Sequence, residues 1–354
     1  MATVDDNPLQ IIDISDMSNS TADQLLNAAS TQGFLMLEGH DFTQAEVDCL
    51  FNLSKDFFDL PYDTKSKFAI DDTNRGYTGI GVENLEEDDL KKSVGDFKEA
   101  FNFAHLNLQT GKADQDLPDI FKVSENEEII SSTIIKLRKV LFKLLELLAI
   151  SLKIDENEGG SKWFIDRHDP TLPQGSAFRL LHYPTLVKPG MSKDEIEDLK
   201  KINVAGAHTD YGCVTLLFQR EDEDGLEIYS PDSKKWESVP FVPASPKYKS
   251  NGYAPPLVVN IADQLCYWTN GLLKSTIHRV RFPSKLLDQA KPRYSIVFFV
   301  HPANDTILEP VPADEVRKIK GRGAAHYLAK HGVSISARQH LEKRLAATYG
   351  WNTY

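Results

Sequence analysis

A mainly β protein with helical additions, a sandwich or jelly roll packed beneath helices, is predicted by three features of this sequence. The first half carries long amphipathic stretches, the second half carries short apolar runs cut by Gly, Pro, Asn and Asp clusters, and the C-terminal segment returns to helical spacing. Leu9-Gln10-Ile11-Ile12-Asp13-Ile14 reads as a short strand. A helix then begins near Ser20-Thr21, with Ala22, Leu25, Leu26 and Ala29 at helical spacing, and Gly33 stops it. Phe34 to Leu37 is a second apolar strand. Thr43 to Asp59 reads as a helix with Leu50, Phe51, Phe57 and Phe58 on its apolar side. Leu60-Pro61 ends it, because proline pushes the preceding residue out of helical dihedrals.

The glycine-punctuated run Arg75-Gly76-Tyr77-Thr78-Gly79-Ile80-Gly81 reads as a loop or turn. It lacks the lysine of a phosphate loop and does not sit between a strand and a helix, which argues against nucleotide binding. Ser124 to Ile154 is the strongest helix. Ser124 and Glu127 have capping-box spacing, and Leu141, Leu144, Leu145 and Leu148 form a stripe expected to bury itself against the sheet. After Pro173 the expected strands are Phe178 to Tyr183, Val204 to Asp210, Val214 to Phe218, Leu226 to Tyr229, Leu257 to Ile261, Ser275 to Arg281 and Arg293 to Val300. Ala324 to Tyr349 is again helical, and no internal repeat is visible.

Composition bounds the function. With 354 residues, 41% hydrophobic and 26% charged, the chain can bury a substantial core. The net charge of −12 repels phosphate backbones, and no local basic patch reverses it, so nucleic acid is not the expected partner. The acidic runs Glu86-Glu87-Asp88-Asp89 and Glu221-Asp222-Glu223-Asp224 read as solvated loops. Cys49, Cys213 and Cys266 are too few and too scattered for a disulfide framework or a zinc knuckle, which fits a reducing compartment. The start, Met1-Ala2-Thr3-Val4-Asp5-Asp6, lacks the basic and apolar regions of a secretory signal. Charged residues interrupt Ile134 to Ile154, which excludes a membrane span there. The cytoplasm is the expected location, with no membrane and no obligate protein partner.

The chemistry is carried by two pairs and a lone histidine. His208 and Asp210, two apart in a strand-like run, are expected to project from one face, and His278 supplies a third ligand from another strand-like run. Two neutral imidazoles and one carboxylate on one side of an iron leave three cis positions open for a co-substrate and oxygen. Arg293 and Ser295 alternate onto one face of an otherwise apolar strand, and an arginine fork beside a hydroxyl suits the distal carboxylate of an oxo-acid. His40, His105, His168, His301, His326, His331 and His340 are read as ordinary structural residues, and so is His182 despite being a possible pocket residue.

These motifs together, His208-Thr209-Asp210, then Trp268 through Val280 with His278, then Arg293-Tyr294-Ser295, resemble the 2-oxoglutarate and Fe(II)-dependent dioxygenase superfamily, in the branch that includes isopenicillin N synthase. The resemblance extends to Tyr183-Pro184 and to the N-terminal half through Ile12-Asp13-Ile14, Gly33-Phe34, Phe57 to Pro61, Arg75-Gly76-Tyr77 and Lys98-Glu99. Two positions depart from its pattern, Leu181 and Ala262; neither is a ligand position. The resemblance implies a double-stranded β-helix, or distorted jelly roll, flanked by helices. It implies Fe(II) on His208, Asp210 and His278, and 2-oxoglutarate held by Arg293, Ser295 and Tyr183.

With O2, the implied reaction hydroxylates, desaturates or cyclises a small organic substrate while releasing succinate and CO2. Arg75, Tyr77, Phe103 and Phe299 are substrate-pocket candidates by analogy. Residues 1–172 are expected to form the N-terminal region, 173–305 the jelly-roll core and 306–354 a C-terminal helical segment, packed as one unit. Two alternatives stay open at this point: an isopenicillin N synthase-like oxidase that needs no oxo-acid, and a catalytically silent binding protein of the same fold.

Overall fold

Strand-forming residues from both ends of the chain meet in one large sheet. The computed structural model describes residues 7–85 and 95–349; the sequence's opening residues 1–6 and the acidic run 86–89 lie outside the described residues. Ile11–Asp13 (β1) and Phe34–Glu38 (β2) pair in parallel, Ile11 opposite Met36, across the helix Asn19–Thr31. That helix starts slightly earlier than expected. Ser18 is its N-cap, its side chain accepting from the Thr21 amide, so Ser20 and Thr21 already lie in the first turn.

Gly33 turns the chain from this helix into β2 with φ +73°, and a Cβ there would come within 2.2 Å of the Lys274 carbonyl oxygen. Gly33→Ala should therefore cost at least about 2 kcal/mol, because left-handed backbone strain and a backbone clash add. The expected result is a lower urea midpoint with an unchanged slope.

The next strands are Gly76–Thr78 (β3), Glu99–Phe103 (β4), the small hairpin Leu106–Asn107 (β5) with Lys112–Ala113 (β6), and Ala177–Tyr183 (β7). β3 and β4 correct the sequence reading. The segment read as a loop around Tyr77 contains an edge strand on β4, Tyr77 opposite Phe101, and β4 itself escaped notice because its five residues are buried on both faces and show no clean apolar–polar alternation. The remaining strands are Asn203–His208 (β8), Val214–Phe218 (β9), Leu226–Tyr229 (β10), Trp236–Ser238 (β11), Leu257–Ile261 (β12), His278–Arg281 (β13) and Arg293–Val300 (β14).

The order in the large sheet is β1-β2-β12-β9-β14-β7-β4-β3, and β11-β10-β13-β8 form a second sheet. The mixed α/β architecture, with its large antiparallel sheets, is that of a jelly-roll core flanked by helices.

Side-chain alternation then sorts the large sheet into two faces. Phe101 and Phe103 of β4, Phe178 and Leu180 of β7, and Ile296 and Phe298 of β14 join one apolar core with the helices. The residues between them, including Asn102, Arg179, Ser295 and Val297, face a cavity. The helix Gln44–Phe58, capped by a Thr43–Glu46 capping box, packs on β7 and β14. The long helix Ser124–Ser151 buries its leucine stripe completely, but its main neighbours are the helix Asn19–Thr31 and the short turn Gly160–Lys162 rather than the large sheet. The expected capping box at Ser124 does not form. Val123 is the N-cap without a side-chain bond, because the preceding turn Asp119–Lys122 carries the chain straight into the helix and places Ser124 inside it.

Candidate active site

β8 and β13 are antiparallel neighbours, and their register sets His208 directly opposite His278. The two rings lie 4.3 Å apart, centroid to centroid. Asp210 arrives differently from the sequence expectation. β8 ends at His208, so Asp210 is on the turn beyond it and not on a continuing strand face; its backbone carbonyl accepts from the Asp263 amide at 2.9 Å. Ser275 to Ile277 likewise precede β13, which begins at His278.

One ligand atom from each of His208, Asp210 and His278 lies within 4.8 Å of the others, and each histidine Nε2 is 3.7 Å from Asp210 Oδ1. Neighbouring groups fix which atom of each side chain faces this point. With Nδ1 protonated, His208 donates to the Gly206 carbonyl at 2.7 Å and His278 to the Thr276 carbonyl at 3.2 Å, which leaves both Nε2 lone pairs free. Asp210 Oδ2 accepts from Thr215 Oγ1 at 2.6 Å and from Asn260 Nδ2 at 2.9 Å, which leaves Oδ1 for the shared point.

The protonation states suit a divalent cation. Burial, then the neighbouring His278, pushes His208 down to about 3, so its imidazole is neutral at ordinary pH. Burial opposes ionisation of Asp210, but the two histidines and its two hydrogen bonds outweigh that and hold its carboxyl below the usual range. Thr215 and Asn260 escaped the sequence reading. Both carried the same signal, Asn260 as the one polar side chain in the apolar strand Leu257–Ile261 and Thr215 as the one in Val214–Phe218. Asn260→Leu should weaken Fe(II) binding about 10–100-fold, as loss of an outer hydrogen bond does, without loss of fold. Anaerobic iron titration alongside circular dichroism measures both.

The cavity beside these residues measures about 140 Å³. Arg293, Ser295 and Tyr183 line it, with Arg293 opposite Tyr183 in register and its guanidinium 5.0 Å from the tyrosine ring centre. Arg293 Nε donates to the carbonyls of Glu223 and Asp224, whereas the buried Nη1 has no hydrogen-bond partner among the described residues. An arginine fixed at one edge and unpaired at another fits an incoming carboxylate.

Of the four substrate-pocket candidates only Phe299 lines this cavity. Phe103 falls on the opposite face of β4, packed on Phe101, Phe121 and Phe178. Tyr77 shares that face and donates its hydroxyl to Glu99, and Arg75 pairs with Asp71. His182 also lies on that side, bonded to Glu99 and stacked on Tyr294. Four wall residues not anticipated as such are Lys98, Glu83, Arg179 and Asn102, joined by Leu341 and Leu345 of the C-terminal helix.

Comparison with known proteins agrees with this geometry. The profile of the 2OG-Fe(II) oxygenase superfamily matches residues 176–302, and that of the N-terminal region of non-haem dioxygenases in morphine synthesis matches residues 9–121. A UPF0676 protein of Schizosaccharomyces pombe is 30% identical over 96% of this chain and 92% of its own length. A 2-oxoglutarate-dependent dioxygenase of Didymella fabae is 31% identical over 81% of this chain and 80% of its own. Among solved structures, a Neurospora crassa protein crystallised with alpha-KG (2-oxoglutarate) and thymine superposes with a TM-score of 0.73 at 25% identity, covering 98% of each chain.

Proposed function

Because this chain belongs to the 2OG-Fe(II) oxygenase superfamily, we propose that His208, Asp210 and His278 hold Fe(II) and that Arg293, Ser295 and Tyr183 hold 2-oxoglutarate. The enzyme is a 2-oxoglutarate-dependent non-haem iron dioxygenase acting on a small molecule. When bound, iron and 2-oxoglutarate supply the oxidising chemistry: one atom of O2 ends in succinate, with release of CO2, and the other is available to hydroxylate the substrate.

The protein's own part is positioning. The Gly206 and Thr276 carbonyls orient the imidazoles, Thr215 and Asn260 orient the carboxylate, and Arg293 supplies the countercharge for the distal carboxylate of the oxo-acid. The apolar walls at Leu181, Val297 and Phe299 exclude water from the reacting centre. The convergence of three locked donor atoms on one point carries this reading. Anaerobic titration with Fe(II) and then 2-oxoglutarate tests it: the visible charge-transfer band of the chelate should appear in the wild type, and its absence would remove the co-substrate assignment.

We further propose that residues 1–172, 173–305 and 306–354 fold as one unit, since β1 to β4 of the first segment extend the sheet formed by β7, β9, β12 and β14. Limited proteolysis should yield no stable iron-binding fragment starting near Pro173. The cytoplasm remains the proposed location, supported by three cysteines that form no disulfide. Among the described residues, no helix is long and apolar enough to cross a membrane.

A further inference from the structure

One wall of the cavity carries charges that are already paired. Arg179 donates to both carboxylate oxygens of Glu83, at 3.1 and 2.9 Å, and Lys98 lies 3.1 Å from the same carboxylate while also pairing with Asp96. All four side chains are buried. Two cations therefore meet two anions. Burial favours the neutral forms, but the surrounding opposite charges win, lowering Glu83 and raising Lys98.

The other half of the site balances too: Fe(II), Asp210, Arg293 and doubly ionised 2-oxoglutarate sum to zero. Among the described lining residues no countercharge is left for an ionised substrate, and an unpaired charge buried here would be strongly disfavoured.

Apart from Arg293, the polar side chains on the cavity wall with an atom unpaired among the described residues include His301, at Nδ1, and Asn102. Asn102 is 1% exposed and forms part of the cavity wall. Its Nδ2 donates to the backbone carbonyl of Asn74 at 3.1 Å and to the Asn74 side-chain oxygen at 2.9 Å. A carbonyl can only accept, so this bond fixes the amide's orientation and turns Oδ1 the other way, where it has no partner among the described residues. Leu181, Val297 and Phe299 supply apolar surface on the same wall.

Resting on the oxygenase reading above, we propose that this cavity selects an uncharged, largely apolar small molecule bearing an N–H or O–H donor, which Asn102 accepts while the Glu83–Arg179–Lys98–Asp96 group rejects ionised analogues. A bound donor would satisfy the orphaned oxygen, whereas a carboxylate would have to displace Glu83 from Arg179 and an ammonium would have to compete with Lys98.

Four matched probes test this: 2-phenylacetamide, methyl phenylacetate, phenylacetate and 2-phenylethylammonium. Each is titrated calorimetrically into the anaerobic Fe(II)·2-oxoglutarate enzyme. The amide should bind tightest, by at least about tenfold over either ion. Asn102→Leu should bring the amide down to the level of the ester and leave the ester unchanged. Glu83→Gln, which leaves an excess of positive charge on the wall, should improve phenylacetate binding at least about tenfold. An ion binding the wild type as tightly as the amide would overturn the proposal, as would binding by none of the four or an amide indifferent to Asn102→Leu. The wild-type ranking stands even where a variant folds poorly. Loss of the chelate's visible band would instead count against the oxygenase reading, so the two failures are distinguishable.

Discussion

Alanine at any one of His208, Asp210 and His278 is expected to take 2-oxoglutarate-dependent O2 consumption below detection while leaving the far-ultraviolet circular dichroism unchanged. Two remaining ligands cannot hold iron in a facial arrangement, and the loss should exceed the ~10–100-fold that follows removal of an outer hydrogen bond. The three variants should differ in stability. Asp210→Ala strips the acceptor from Thr215 Oγ1 and Asn260 Nδ2, both buried, and an unsatisfied buried donor costs about 1–3 kcal/mol. His208→Ala and His278→Ala each free a single backbone carbonyl instead. Asp210→Asn, which keeps the shape but loses the charge, should therefore unfold at a higher temperature than Asp210→Ala and be equally inactive. Wild-type turnover by any alanine variant would remove that residue from the proposed metal site.

Strand alternation decided how much of the site could be read in the sequence. His208 and His278 sit in apolar runs of strand composition, and their meeting needs only that β8 and β13 be neighbours. Arg293, Ser295 and Tyr183 lie in strands long enough for their parity to be legible, and Phe299 follows from Arg293 by counting in twos. Phe103 fails by the same count. It is one residue out of step with Asn102, and with both faces of β4 buried the segment shows no alternation from which its parity could be read.

Arg179 was more accessible than it looked. A charged residue inside the run Ala177–Tyr183 must be either exposed or paired, and here it is paired with Glu83, which stands in a glycine-rich loop with no periodicity to announce it. Asp210 was placed on a strand because it lies two residues beyond His208, at the end of the strand-like run from Val204. The chain turns after His208, and the carboxylate reaches the same point through its own hydrogen bonds to Thr215 and Asn260. The capping box at Ser124 failed for a local reason: its spacing matched, but the helix begins one residue too early to use it.

Arg293→Leu is the substitution that separates 2-oxoglutarate dependence from an isopenicillin N synthase-like oxidase. In the wild type the guanidinium is held at Nε by the carbonyls of Glu223 and Asp224, so its Nη1 edge is presented without reorganisation. Leucine leaves the distal carboxylate of 2-oxoglutarate desolvated and unpaired, a loss on the order of 3–5 kcal/mol. At ~1.4 kcal/mol per factor of ten, affinity for 2-oxoglutarate should fall by roughly two to four orders of magnitude. Iron affinity should barely change, because Arg293 is not in the ligand cluster. Arg293→Lys keeps the charge but loses the fork, and should fall between the two. Pyruvate or 2-oxobutyrate, which lack the distal carboxylate, should lose little on mutation to leucine. The two carbonyls released from Arg293 lower stability in both variants, so each titration is run below the variant's own unfolding transition. An oxidase of the other kind would consume O2 and substrate without added 2-oxoglutarate, and Arg293→Leu would weaken binding of the substrate itself. Steady-state O2 consumption by both proteins, with each compound varied in turn, distinguishes these outcomes; a wild type indifferent to 2-oxoglutarate would sink the assignment of Arg293 to the co-substrate.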